Sequence, residues 1–148
     1  MTLFVIAFTG CSSKQTHDAP SSSMEPTIPA GSRVTADYAA YQVELPTRFD
    51  IVVFRPPYPP DAIFAFRVIG LPGEAIQITT NAILIDRKEI SPPDGLQYSP
   101  VPSGINETNL SSSEFFLLGD NTLAANDSRY FGPIDRTNIL AKVVRIEQ

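Results

Sequence analysis

Three consecutive serines, Ser21 to Ser23, run into Met24-Glu25-Pro26-Thr27-Ile28 and form the first place in this 148-residue chain where covalent chemistry could begin. A serine hydroxyl is a weak nucleophile until a base takes its proton. The tetrahedral intermediate of acyl transfer also needs a donor aimed at its oxygen. A turn fixed by Pro26 would present such hydroxyls. Without the residues that follow it, the serine run would read as an ordinary linker. The base is harder to find. The lysines are Lys14, Lys88 and Lys142, and the one histidine is His17. Lys14 and His17 fall in a polar segment, with Asp18 beside the histidine, and read as solvated linker residues. A His/Ser pairing is sound chemistry, but a flexible segment does not position it. One histidine and one cysteine, Cys11, do not make a convergent metal-ligand set, so no metal or cofactor is expected.

The elements that must position these groups read as short strands. Asp50-Ile51-Val52-Val53-Phe54-Arg55 is a β-branched run closed by Pro56-Pro57. Residues 31–37 and 63–69 are further strand candidates. Ala75–Thr79 and Ala82–Asp86 read as a hairpin turning at Thr80-Asn81, and 115–118 and 141–146 as the last strands. Residues 91–113 are rich in Pro, Ser, Gly and Asn and read as loop. No window holds a sustained helical period. The expected fold is mostly β, a compact antiparallel domain of short strands with little helix.

Strand alternation puts Phe64, Phe66 and Val68 on one face and Ala65, Arg67 and Ile69 on the other. Position 66 therefore faces an apolar surface.

Four segments, in order, resemble type I signal peptidases. Ser21-Ser22-Ser23-Met24-Glu25-Pro26-Thr27-Ile28 resembles that family's Ser-x-Ser-Met-x-Pro-Thr-Leu box. Phe49 to Phe54 resembles its Gly-Asp-Ile-Val-Val-Phe strand, with Phe49 in place of glycine. Phe66-Arg67-Val68-Ile69-Gly70-Leu71-Pro72-Gly73 resembles Lys-Arg-Val-x-Gly-Leu-Pro-Gly. Gly119 to Gly132 resembles Gly-Asp-Asn-x-x-x-Ser-x-Asp-Ser-Arg-x-x-Gly. The resemblance covers about Ser21 to Ile146. It implies a signal-peptidase-type β domain and serine endopeptidase activity on the signal peptides of exported proteins. It makes Ser23 the nucleophile and Ser21 the donor to the oxyanion. It gives Arg67, Asp120, Asp127, Ser128 and Arg129 structural roles around the site, with Arg67 facing Asp120. The partner it implies is an extended peptide in a groove at a sheet edge, bound by main-chain hydrogen bonds and side-chain pockets.

The resemblance breaks at the proton acceptor. Phe66 stands where the family has its general-base lysine, and Ala125 where it has the serine bonded to that lysine. Burial of a lysine on an apolar face lowers its pKa and frees its amine to accept a proton. Phenylalanine has no lone pair to offer. A branch of the family uses histidine as base, but at position 66. Lys88 and Lys142 match ordinary structural positions. The expected protein is a catalytically silent homologue that keeps the peptide groove; the alternative is an active serine peptidase with an unorthodox base. A related self-cleaving regulator would need a DNA-binding segment, which the chain lacks.

Residues 1–11 are a short apolar run ending in Gly10-Cys11. This resembles a bacterial lipoprotein cleavage box, in which Cys11 is lipidated; the second reading is the clipped end of a longer membrane anchor. Residues 12–20 read as a flexible tether and 21–148 as the β domain. The implied location is the extracytoplasmic face of a membrane, in the periplasm or cell envelope, with contact to the membrane surface through the N-terminus. The net charge of -5 argues against a nucleic-acid partner. The triplets at Asn106, Asn109 and Asn126 match the glycosylation pattern by chance.

Overall fold

The computed structural model describes residues 12–59, 61–79, 82–93 and 105–148. Its strands are β1 (Lys14–Ala19), β2 (Ser32–Asp37), β3 (Ile51–Phe54), β4 (Phe64–Gly70), β5 (Ala75–Ile78), β6 (Ile83–Ile85), β7 (Lys88–Ile90), β8 (Ile105–Asn109), β9 (Glu114–Leu118), β10 (Ile134–Asp135) and β11 (Ile139–Glu147). One helical turn, α1 (Ser128–Phe131), precedes β10. Seven strands form one sheet in the order β1-β2-β11-β3-β4-β9-β10, and four form a second in the order β7-β6-β5-β8. Every pairing is antiparallel. The fold is the mostly β, antiparallel one that the strand pattern predicts.

Burial follows from alternation. On β9, Phe115 and Leu117 enter the core under the large sheet, with Val52, Phe54, Phe66 and Val68. Phe116 and Leu118 enter a second core against the small sheet, with Ile69, Ile76, Ile83 and Ile85. A strand covered on both faces has no polar side, which is why Glu114–Leu118 is an unbroken apolar run after its first residue. β3 and β4 pair with Val52 opposite Phe66 and Ile51 opposite Arg67. That register fixes the site, because a slip of one residue would exchange Phe66 and Arg67 between faces.

Two segments differ from their sequence reading. Lys14–Ala19, inside the stretch expected as a flexible tether, is an edge strand paired with β2 from Lys14 opposite Asp37 to Ala19 opposite Ser32. Ile105–Asn109, inside the stretch expected as loop, pairs with β5. Each is held chiefly by its backbone ladder. An edge strand whose side chains are mostly solvated leaves no apolar period to detect. Cys11 and the N-terminal run lie outside the described residues. Among the described residues no helix is long and apolar enough to cross a membrane, and no cluster of metal-ligating side chains occurs.

Candidate active site

The serine segment is a turn anchored from below. Met24 and Ile28 are buried, and the Ile28 amide donates to the Met24 carbonyl at 2.9 Å. The peptide bond between Glu25 and Pro26 is cis. The strand-to-turn segment after β9 grips this turn through its backbone. The Asn121 amide donates to the Ser23 carbonyl, and Asn121 Nδ2 donates to the Ser22 carbonyl, both at 3.0 Å. The Asp120 amide points to Met24 Sδ at 3.4 Å. The two hydroxyls meet at the top, with Ser21 Oγ 2.9 Å from Ser23 Oγ.

Gly119 shows how closely the remaining positions converge. A Cβ there would lie 2.4 Å from the Ala125 methyl, 2.6 Å from the Ser23 carbonyl oxygen and 3.4 Å from Phe66 Cε1. No side chain fits such a space, so glycine is required by close approach of backbone and neighbours. Ser23, Phe66 and Ala125 therefore surround one point. Phe66 is 3% exposed and Ala125 is 5% exposed. The Phe66 ring packs on Phe54 with centroids 5.5 Å apart, within the range of favourable aromatic pairs.

Two Arg–Asp pairs hold this arrangement. Arg67 Nε and Nη2 donate to the two carboxylate oxygens of Asp120 at 2.8 and 2.6 Å. Arg67 also donates to the Phe49 carbonyl at 2.9 Å and to Thr27 Oγ1 at 3.3 Å, joining β4 to the serine turn. Asp127 caps α1 by accepting from the Arg129 amide, and its other oxygen accepts from the Gly119 amide at 3.0 Å. The Arg129 guanidinium donates to both Asp127 oxygens and to the carbonyls of Thr122 and Ala125. Ser128 Oγ accepts from the Leu117 amide at 3.0 Å. Fork-to-fork pairing of this kind fixes direction as well as distance.

The other candidate bases lie elsewhere. Lys142 pairs with Asp50 at 2.8 Å, and Lys88 lies on β7 in the small sheet. Lys14 begins β1 with its side chain exposed. His17 borders the cavity that Ser21 and Ser23 also line, but its Nε2 is 3.0 Å from the Tyr38 hydroxyl. Among the described residues no basic side chain hydrogen-bonds Ser23.

Two cavities meet at the serines. One of about 290 Å³ runs between β1 and the segment before β4, with a floor of Met24, Ile28, Val34 and Val53. The other, of about 250 Å³, is walled by aromatic rings that include Phe64 and Phe66. Both are bordered by Ser21, Ser23 and Phe64. The sequence reading missed the gripping role of Asn121 and the part of Tyr58 and Phe131 in the second wall. The Asn was visible within Gly119-Asp120-Asn121, but nothing in the spacing says which turn it holds.

The fold and the convergence of these segments define a signal-peptidase-like serine site. The family model described as signal peptidase, peptidase S26, matches residues 1–146. Signal peptidase I of Leptolyngbya laminosa is 35% identical over 84% of this chain and 64% of its own length. The probable signal peptidase I-2 of Synechocystis is 32% identical over 83% of this chain and 58% of its own length, so the chain spans about three fifths of these relatives. A crystal structure of a signal peptidase I from Enterococcus faecalis superimposes with a TM-score of 0.57 at 26% identity, covering 70% of this chain and 100% of that one. The chain belongs to the signal peptidase family.

Proposed function

We propose that this protein binds extended, exported peptides beside Ser23 without cleaving them efficiently. The observation that carries the reading is the pairing of a phenyl ring and a methyl group, Phe66 and Ala125, beside the Ser23 backbone at Gly119. A hydrolytic serine needs a proton acceptor within about 2.6–3.2 Å. Ser23 Oγ has only a second hydroxyl at that range among the described residues. The binding parts remain: a fixed serine turn, a hydroxyl pair, and cavities on either side of it. In this reading the protein works at the outer face of a membrane, held through its N-terminal segment, on peptides of the signal-peptide class.

The test is cleavage of a signal peptide ending in Ala-x-Ala, beside an active relative. Loss of a positioned base costs about 10²–10⁴-fold, so turnover should fall at least a hundredfold below the relative. A fluorescent peptide of the same sequence should still bind. Turnover equal to the relative's, abolished by Ser23→Ala, would overturn the proposal in favour of an unorthodox base.

A further inference from the structure

We propose that the cleft walled by Phe54, Phe64, Phe66, Phe131 and Tyr58 receives an aromatic side chain of the bound peptide. This rests on the reading of the protein as a peptide binder and names what one of its subsites selects.

The wall combines inclined ring pairs with one stacked pair, Phe64 and Phe66. Phe54 and Phe131 lie 6.3 Å apart at 42°, Tyr58 and Phe131 5.5 Å apart at 50°, and Phe64 and Phe66 6.5 Å apart at 27°. Inclined rings offer both faces and edges, the two surfaces that a further ring pairs with. Phe64 and Tyr58 are 38% and 36% exposed, so part of this aromatic surface faces solvent rather than the core. Among the described residues no charged side chain lines the cleft. Its polar groups are Ser21, Ser23, Asn126 and the Tyr58 hydroxyl, a few hydrogen-bonding atoms on an apolar wall, which is the usual make-up of a selective small-group site. The volume fits. An apolar cavity of about 150 Å³ takes a benzene ring, and this one measures about 250 Å³.

Position argues for a peptide as occupant. The cleft and its larger neighbour share Ser21, Ser23 and Phe64. A strand crossing the hydroxyl pair, with a carbonyl accepting from one of them, would send side chains into both. Phe66 is part of the aromatic wall. The substitution that removes the base thus supplies a ring to the cleft. A lysine or aspartate entering it would lose its hydration without finding a counter-charge.

The experiment uses seven-residue fluorescent peptides of alanine and serine, with phenylalanine or lysine placed at each position in turn, and reads Kd by polarisation. At one position phenylalanine should tighten binding by about 10- to 100-fold over alanine, the range for burying such a side chain. Lysine there should bind no better than alanine. Tyr58→Ala and Phe64→Ala change partly exposed rings and should fold, as a cooperative melt will show. Each should cut the phenylalanine-over-alanine ratio at least threefold. N-acetylphenylalaninamide, read by NMR shifts, probes the cleft without a peptide chain. Peptides that bind with no phenylalanine preference, or with a preference that both variants keep, would overturn the inference and leave the peptide-binding reading standing. Binding of the amide, lost in the variants, with no peptide binding would support the cleft and overturn that reading. Binding of neither would overturn both.

Discussion

In the proposed reading, two side chains decide the chemistry of this molecule. Phe66 and Ala125, which the sequence resemblance aligns with an amine and its hydroxyl partner, are both buried beside Gly119. Phe66→Lys alone should be poor, because it buries an amine without a partner. Loss of the ring also leaves space, although a lysine stem refills part of it. Adding Ala125→Ser supplies an oxygen to orient that amine. The double variant should cleave an Ala-x-Ala peptide measurably, in a way that depends on Ser23. Its gain should exceed the two single gains combined, since groups that act as a unit are not additive. A double variant that melts cooperatively yet neither cleaves nor reacts with a serine acylator would show that the hydroxyl pair no longer has productive geometry.

At the scale of elements, the approach to β3 carries a conformation its side chain does not favour. Phe49 has φ of 73°, in the left-handed region, where the resemblance gives glycine. Its amide donates to the Val68 carbonyl and its carbonyl accepts from Arg67, so the backbone is held there from both sides. For a residue with a Cβ this costs about 1–2 kcal/mol. The ring recovers part of that by packing on the second core. Phe49→Ala loses the packing and keeps the strain; Phe49→Gly loses the packing and the strain together. The glycine variant should therefore be the more stable of the two by about 1 kcal/mol in urea unfolding, despite glycine's larger entropy loss. Equal stabilities, or a more stable alanine variant, would show that the turn holds no strain.

At the scale of the whole molecule, stability is tied to acid through carboxylates that join elements. Burial raises the Asp50 carboxyl, but hydrogen bonds from Lys142, the Thr47 amide and the Tyr41 hydroxyl outweigh it and leave it below its ordinary value. Asp135 is lowered to about 2 by Ser113, then by the Thr137 amide and hydroxyl. A depressed carboxylate contributes stability fully above its unfolded value of about 3.9 and loses it as pH falls through the folded value. The melting temperature should thus fall between about pH 4 and pH 2. Asp50→Asn should lower it at pH 7, by breaking the link between β11 and the approach to β3, and should flatten its fall below pH 4. A variant whose acid slope equals the parent's would show that Asp50 takes no part in the acid transition.

Much of this was legible in the chain itself. Alternating and β-branched runs marked β2 to β6, β9 and β11, because those strands bury one face or both and burial leaves a period. The serine turn, the Arg67 and Asp120 segments and the two altered positions stood out by residue type and order. β1 and β8 did not, because an edge strand with solvated side chains is held by backbone hydrogen bonds that every residue can make. Residue types alone determined that no lysine or histidine stands at position 66 or 125. The resemblance implied that these positions meet; the tertiary structure decided how. Phe66 comes from β4 and Ala125 from the loop before α1, and a side chain missing from Gly119 lets both approach the Ser23 carbonyl. The aromatic cleft was likewise decided in three dimensions. Tyr58, Phe64 and Phe131 share no period along the chain; they come together because β3 and β4 pair in one register and α1 packs beside β9.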